Sequence, residues 1–211
     1  MHKEAILLKK ALERAERGWI EMTVSISTFD DLAREGLYAV PAKVIREKDG
    51  GEKIKGVMPH ANGANAIRSG SEWDVARGRI MEFIQEKGYN FAAIKSGAIS
   101  NVYVLDIDTK DSLEKDIMAD MPLWQRLIAE HGDPPTLQAS TQSGGIHLYF
   151  SYVESINNGL KSGKDFVGVD VGGQLYGIDG RGEGGIAFCP PSTLEDGVAY
   201  TWNMAPMEHG A

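Results

Sequence analysis

The sequence of 211 residues predicts an α+β fold. Apolar residues recur at helical spacing in the first part of the chain, which indicates amphipathic helices. In the C-terminal half, short apolar–polar alternations between glycine-rich turns are typical of strands, and they far outnumber the helices. A chain of this length is enough for one substantial domain or two small ones.

Composition excludes several classes of protein. Hydrophobic residues make up 42% and charged residues 25% of the chain, which fits a globular protein in water. No run of 18 apolar residues occurs, so we expect no membrane span. The charged N-terminus lacks the apolar core of a signal peptide, so we expect a cytoplasmic location. The single cysteine, Cys189, excludes an intramolecular disulfide and any multi-cysteine zinc site.

The formal net charge of -8 bears on nucleic-acid binding. Proteins whose main partner is nucleic acid usually carry a basic surface, because neutralised phosphates supply most of the affinity. This chain has no overall excess of basic residues. Any contact with nucleic acid is therefore expected to use a local basic surface or bound metal ions.

The first part of the chain predicts two helices and two strands. Residues 3–18 predict an amphipathic helix, so residues 1–26 form a helix and linker ahead of the main domain, residues 27–211. The stretch STFDDLAREG predicts a second helix, capped by one of its first two residues and ended by Gly36. LYAVPAKVIREKDGGEKIKGVMP predicts two strands, because the glycines of KDGGE supply the positive φ of a hairpin turn.

The middle of the chain predicts a loop, a helix and two strands. PHANGANAIRSGSEW is either a solvated loop or a path for phosphates lined by His60 and Arg68, with Lys55 nearby. WDVARGRIMEFIQEKG predicts a helix ended by Gly88. NFAAIKSG and NVYVLDID predict two strands joined as a β-hairpin.

The rest of the chain predicts one more helix and several strands. DSLEKDIMADMPLWQRLIAEHG predicts a helix that is interrupted or kinked near Pro122, since proline removes a helix hydrogen bond. PTLQASTQSGGIHLYFSY predicts a strand, a turn of small residues and a second strand. GIDGRGEGGIAFCPPST predicts the same form again, and AYTWNM predicts the last strand.

The strand NVYVLDID ends in two acids, Asp106 and Asp108. Alternate residues of a strand point to the same side, so the two carboxylates project together while Ile107 faces the opposite, buried side. Two carboxylates this close repel each other, and bound Mg²⁺ or Mn²⁺ ions would relieve the repulsion. Alternatively, the acids are an ordinary solvated strand end that runs into a turn.

The stretch QSGGIHLYF combines a turn of small residues with a histidine. The backbone N–H groups of Ser143, Gly144 and Gly145 have little steric cover, which suits a cradle for phosphate. The following strand alternates so that His147 and Tyr149 share one face. Either His147 points at a ligand lying over the sheet, or it is a structural residue of the core.

A third candidate is YGIDGRGEGGIAFCPPS. Asp179 and Arg181 lie two positions apart, and the glycines around them let the backbone approach a ligand closely. The arginine either holds the loop by pairing with the acid or contacts a ligand phosphate. Three acids able to hold two metal ions, with a histidine and basic groups for phosphates, are what nucleotidyl transfer requires.

These three motifs together resemble the primase-polymerase (prim-pol) domain of the archaeo-eukaryotic primase superfamily, found in plasmid, phage and viral replication proteins. VYVLDIDTKD is similar to the family's first acidic motif, QSGGIHLYF to its small-x-His motif, and GIDGRGEGGIAFCPPS to its third motif. The three occur in the family's order. The resemblance covers about residues 27–203, with the motifs concentrated in residues 94–192.

The resemblance implies a metal-dependent DNA primase/polymerase that incorporates dNTPs or NTPs on a single-stranded DNA template. It implies an RRM-like antiparallel sheet subdomain packed against a smaller α/β subdomain, with the active-site cleft between them. It also implies two Mg²⁺ or Mn²⁺ ions and no zinc, since one cysteine cannot build the zinc-binding insertion of some members. Replicative members usually continue into a helicase, so a helicase domain or partner is a further expectation.

The resemblance also implies roles for particular residues. Asp106, Asp108 and Asp179 would be catalytic and would bind the metal ions. His147 would contact the phosphates of the incoming nucleotide. Further phosphate contacts would come from Ser143, Gly145, Arg181 and Lys161 or Lys164.

Two other functions stay open at this point. A non-catalytic module that binds single-stranded nucleic acid would keep the fold without the chemistry, but three retained acids and the net charge of -8 fit it poorly. A metal-dependent nuclease would share the carboxylate and histidine chemistry. It would need a positioned water and would not need a nucleoside triphosphate.

Overall fold

The computed structural model describes residues 24–46, 52–58, 73–109, 117–154, 169–176, 178–194 and 197–204. Several predictions fall wholly or partly outside these ranges. They concern the N-terminal helix, the turn KDGGE, the loop that contains His60 and Arg68, the first residues of the helix predicted around Pro122, and the phosphate contact from Lys161 or Lys164.

Within the described ranges the chain forms three helices and twelve strands, which confirms the predicted α+β class. None of these helices is long and apolar enough to cross a membrane. The helices are α1 (Ile26–Arg34), α2 (Trp73–Gln85) and α3 (Asp120–His131). The strands are β1 (Ala39–Arg46), β2 (Glu52–Val57), β3 (Phe91–Lys95), β4 (Val102–Ile107), β5 (Ile117–Met118), β6 (Leu137–Ser140), β7 (Ile146–Ser151), β8 (Val169–Val171), β9 (Gln174–Tyr176), β10 (Asp179–Arg181), β11 (Ile186–Cys189) and β12 (Thr201–Met204).

The strands form two larger sheets and one small one. Sheet A has the order β11-β3-β1-β2, and sheet B has the order β10-β4-β7-β6-β12. Every strand pair in both sheets is antiparallel. The small sheet has the order β5-β9-β8, in which β5 and β9 run parallel. Sheet B therefore places the strands of all three sequence motifs side by side, as β10, β4 and β7.

The prediction that β3 and β4 form a hairpin is wrong. β3 pairs with β1 and β11 in sheet A, whereas β4 pairs with β7 and β10 in sheet B. Only an isolated bridge between Gly97 and Val102 joins their ends. Every residue of β3 is buried, as expected for an inner strand covered on both faces. The segment predicted to repeat the strand–turn–strand form divides in the same way, with β10 in sheet B and β11 in sheet A.

Two helix ends also differ from their predictions. α1 has Ser25 as its N-cap residue and begins at Ile26. The prediction placed the cap two or three positions later, at Ser27 or Thr28. In the described part of the predicted helix around Pro122, residues 117–131, the short strand β5 comes first and the helix begins at Asp120. Pro122 therefore lies in the first turn of α3, where a helix needs no N–H donor, and not at a kink.

Sheets A and B share one hydrophobic core. Its buried members include Ala92 of β3, Val104 of β4 and Tyr149 of β7. Strand alternation places Val104 and Tyr149 on the same face of sheet B as Asp106 and His147. One face of sheet B is thus continuous from apolar core to polar site.

Candidate active site

Three polar residues on three adjacent strands form a row across sheet B. Asp179 of β10 is the register partner of Asp106 of β4, and Asp106 is the partner of His147 of β7. Directly opposed residues of antiparallel strands project from the same face, with their Cβ atoms about 4.5–5.5 Å apart. The sheet register thus brings together three residues that lie in three separate sequence motifs. We call Asp179, Asp106 and His147 the carboxylate row.

Arg181 lies two positions beyond Asp179 on β10 and contacts both acids of the row. Its Nη2 atom is 2.5 Å from Oδ2 of Asp179 and 3.7 Å from Oδ2 of Asp106. The other oxygen of Asp106, Oδ1, is 3.3 Å from Nε2 of His147. The side chains are 7% (His147), 10% (Asp179), 19% (Asp106) and 31% (Arg181) exposed, so Arg181 is the member of this group that solvent reaches most.

Sheet A fixes the orientation of His147. Its Nδ1 atom lies 3.0 Å from the carbonyl oxygen of Phe188 in β11. A carbonyl can only accept, so Nδ1 carries a hydrogen, and Nε2 is left to face Asp106. The ring of Tyr200 packs against the imidazole with 5.8 Å between the ring centroids. The two imidazole nitrogens thus face the Phe188 carbonyl and the Asp106 carboxylate.

The surroundings of Asp106 favour its charged form. Burial alone would raise its pKa, but the hydrogen bond from His147 and the positive charges of His147 and Arg181 act in the opposite direction. These contacts outweigh burial and hold the pKa of Asp106 below its usual value. Asp106 is therefore a carboxylate at neutral pH, the state in which it can hold a cation.

The donor atoms fit a hard divalent cation such as Mg²⁺ or Mn²⁺, which prefers carboxylate oxygens. Arg181 shows that one positive group can contact an oxygen of Asp106 and an oxygen of Asp179 together. Asp108 follows the last paired residue of β4 and is exposed. Within the described ranges no three acidic, histidine or cysteine residues are already gathered around one metal position. The positive group between Asp106 and Asp179 is the Arg181 guanidinium.

The chain as a whole matches a protein family. The Prim-Pol family model, described as "Bifunctional DNA primase/polymerase, N-terminal", matches residues 11–209. The chain belongs to the Prim-Pol family. A comparison with curated proteins finds no significant match. Membership confirms the resemblance of the three motifs and indicates a primase/polymerase function in DNA replication.

In this Prim-Pol chain the small-residue turn between β6 and β7 closes on itself and on the end of β4. The Thr141 hydroxyl accepts a hydrogen bond from the Gly145 N–H at 3.0 Å and lies 3.1 Å from the Ser143 hydroxyl. Thr109 donates to the Ser143 carbonyl at 3.0 Å. A Cβ atom at Gly145 would lie 2.5 Å from the Ile107 carbonyl oxygen. Gly145 therefore allows the turn to approach β4, and its N–H is engaged within the turn.

Two polar residues at the end of β3 were not among the predicted site residues. Ser96 is fully buried, and its hydroxyl donates at 2.7 Å to the carbonyl of Gly182, the residue after Arg181. Lys95 is 5% exposed and pairs in register with Ile186 at the start of β11. In the sequence, Lys95 is the charged last residue of the otherwise apolar run FAAIK. Charged residues are rarely buried, so this pattern could have drawn attention to Lys95. The end of β3 thus fastens the connection that leaves the carboxylate row.

Proposed function

We propose that this Prim-Pol chain is a metal-dependent nucleotidyltransferase that adds dNTPs or NTPs to a DNA strand on a single-stranded DNA template. The carboxylate row carries the proposal. It supplies two paired carboxylates and a histidine on adjacent strands, with the Arg181 guanidinium across both acids. The family supplies the class of reaction to which this arrangement is assigned.

The three acids are proposed as the metal ligands. Asp106, Asp108 and Asp179 would hold two Mg²⁺ or Mn²⁺ ions. Such ions lower the pKa of a primer 3′-hydroxyl and neutralise the triphosphate and the leaving pyrophosphate. The chain would hold Asp106 and Asp179 on directly paired strands, so the two carboxylates would need to move little when the metal ions bind.

His147 and Arg181 are proposed to bind the phosphates of the incoming nucleotide. Both present N–H donors beside the acids, and phosphate oxygens are strong acceptors for charged donors. The Phe188 carbonyl holds His147 at Nδ1, so the Nε2 edge that faces Asp106 has a fixed direction. Arg181 is the more exposed of the two residues.

The other proposed phosphate contacts have different kinds of support. Ser143 is exposed at the turn beside β4, where its hydroxyl can donate to a phosphate oxygen. Gly145 contributes through the close approach of the turn to the Ile107 carbonyl. Lys161 is proposed only on its charge and its place in the sequence.

Primer extension tests the proposal. Asp106→Ala and Asp108→Ala should each reduce nucleotide incorporation on a primed single-stranded template by on the order of 10³-fold, with Mg²⁺ or Mn²⁺ present. Circular dichroism and thermal unfolding should show that both variants fold. Asp31→Ala, which removes an exposed acid of α1 that pairs with Arg34, is the matched control and should extend at the wild-type rate. Extension at the normal rate by either site variant contradicts the metal assignment.

Two further measurements separate the proposal from its alternatives. His147→Ala should mainly raise the KM for the nucleotide, and an unchanged KM would remove His147 from the nucleotide site. Labelled single-stranded DNA incubated with metal and no nucleotide should stay intact, since cleavage would indicate a nuclease. Binding of that DNA without incorporation under any metal condition would indicate a non-catalytic module.

A further inference from the structure

The main chain of Asp108 is held by the start of α3. The last register pair between β4 and β7 is Ile107 with Ile146, so Asp108 lies just past the ladder. Its carbonyl oxygen accepts hydrogen bonds from the N–H groups of Asp120 at 3.0 Å and Met121 at 3.1 Å. Its N–H donates to Oδ2 of Asp120 at 3.1 Å. Both polar groups of the Asp108 backbone are thus bound by two consecutive residues of one helix end.

The side chain of Asp120 is the part of this contact that a substitution can remove. Asp120 is 1% exposed, although buried carboxylates are costly unless they accept hydrogen bonds. Its Oδ2 atom accepts a hydrogen bond from the backbone N–H of Asp108, which lies on the preceding side of β5 in the chain. The first turn of a helix favours a negative side chain, which offsets part of the cost of burial there. Through Oδ2 the carboxylate is directed at the end of β4.

We propose that Asp120 is a positioning residue that acts through Asp108. It would fix the backbone at residue 108, and with it the direction in which the Asp108 carboxylate leaves the strand. Carboxylates that hold metal ions must be placed within about 0.5 Å and 10–20° of the productive geometry, usually by hydrogen bonds of neighbouring residues. The inference rests on the proposed function, because it takes Asp108 to be a ligand of the divalent cation.

The test compares three variants of the full chain by Mn²⁺ binding, measured by electron paramagnetic resonance without nucleotide or DNA. Asp120→Ala removes the acceptor and should weaken Mn²⁺ binding about tenfold, within the range found for loss of a group that orients a metal ligand. Asp120→Asn keeps a side-chain oxygen as acceptor, so it should bind Mn²⁺ within about threefold of wild type. Leu123→Ala is the matched control, because it weakens the same helix at a residue that is 3% exposed.

A purely structural role for Asp120 predicts a different pattern. In that case Asp120→Ala and Leu123→Ala would lose Mn²⁺ affinity in proportion to their fall in melting temperature. That result would overturn the proposal. Wild-type affinity in Asp120→Ala, or a loss in Asp120→Asn as large as in Asp120→Ala, would overturn it too.

Activity measurements on the same preparations separate this inference from the proposed function. With Mn²⁺ held at a limiting concentration, Asp120→Ala should incorporate nucleotide about tenfold more slowly than wild type, and excess Mn²⁺ should restore the rate. If wild type binds Mn²⁺ but incorporates no nucleotide, the proposed function fails while the positioning role of Asp120 stands on the binding data. If wild type incorporates nucleotide and Asp120→Ala does so equally at limiting Mn²⁺, the positioning role alone fails.

Discussion

Two of the clusters in which arginine meets aspartate, among the residues that the structure describes, are built differently. Between α1 and α2, Arg77 meets one acid, Asp30, through two hydrogen bonds of 2.8 and 2.9 Å. Trp73 adds a third donor to the same carboxylate at 3.3 Å. In sheet B one arginine, Arg181, is shared by two acids of the carboxylate row. In the helix pair one arginine contacts one acid, whereas in the row one arginine contacts two acids.

The difference separates an ion pair between two helices from the proposed ligand site. The hydrogen bond from Arg77 lowers the pKa of Asp30 more than burial raises it, so a balanced and partly exposed ion pair remains. The two acids of the row are more buried, and both contact the Arg181 guanidinium. Neighbouring carboxylates repel each other, and an added cation relieves the repulsion.

The largest difference in nucleotide incorporation is expected when one acid is removed from each cluster. Asp179→Asn keeps the shape of the side chain but removes a charge from the row, and it should reduce nucleotide incorporation by on the order of 10³-fold. Asp30→Asn, the matched change between the helices, should leave the incorporation rate unchanged. Single-nucleotide incorporation measures both. A loss of less than about threefold in Asp179→Asn would show that Asp179 is not a ligand.

Removing the shared arginine should destabilise the protein in a way that depends on metal. Arg181→Ala leaves two mostly buried carboxylates facing each other. We expect a loss of about 2–3 kcal/mol without metal, somewhat below the ~3–5 kcal/mol of a fully buried pair. Mn²⁺ should recover part of it, because it supplies the missing positive charge. Urea unfolding with EDTA and with Mn²⁺ measures both, and an equal loss under the two conditions would contradict a shared cation position.

Replacement by alanine at two glycines should change the free energy of unfolding in opposite directions. Gly145→Ala places a Cβ atom against the Ile107 carbonyl, so we expect a loss of about 1–3 kcal/mol in the free energy of unfolding. Gly78→Ala, within α2, meets no atom within 4 Å and should stabilise the protein by about 0.5–1 kcal/mol. Denaturant unfolding of the two variants beside wild type checks both signs. A neutral Gly145→Ala would mean that the turn does not depend on its close approach to β4.

Acid should weaken the protein through Asp106. Its pKa is lower in the folded state than in the unfolded chain, so its ionised form adds stability above the unfolded pKa of about 3.9. This contribution is lost as the pH falls from there through the folded-state pKa. Urea unfolding in EDTA between pH 7 and pH 3 should show a smaller decline for Asp106→Asn than for wild type. Parallel curves for the two proteins would contradict the lowered pKa.

The smallest effect is expected between the helices. Arg77→Ala should lower the melting temperature slightly, because the side chains of this pair are 39% and 25% exposed and water replaces much of the interaction. Arg77→Lys keeps the charge but not the two hydrogen bonds to Asp30. Its melting temperature should therefore lie between those of wild type and Arg77→Ala. Thermal unfolding at low and high salt measures both, and nucleotide incorporation should not change. A change in incorporation would show that the helix pair takes part in the reaction.

The sequence predicted the local structure of the row but not its assembly. Alternation along NVYVLDID placed Asp106 and Asp108 on one side and buried Ile107, which is 1% exposed. That Asp106 sits opposite both Asp179 and His147 depends on pairing with two distant strands, β10 and β7. No local pattern fixes such pairing. The sequence predicted that these three residues meet at one site only because the order of the motifs resembles that of a known family.

The failed predictions have the same origin. A short turn between two strands favours a hairpin locally, yet β3 and β4 each find better partners in separate sheets. The sequence left open whether Arg181 pairs with an acid, and the structure shows that it meets two. Asp120 looked like one more polar residue of a helix. Its contact with Asp108 exists only because α3 begins at that residue and packs its first turn on the end of β4.

The connection from β10 to β11 limits how far the two sheets can separate. Only residues 182–185 lie between the last residue of β10 in sheet B and the first of β11 in sheet A. Five Cα–Cα steps span at most roughly 17 Å when fully extended. Ser96 and Ala98 hold this connection at Gly182 and Glu183. The covalent chain thus sets an upper bound on any opening beside Arg181, because the two sheets can part there only as far as residues 182–185 can extend.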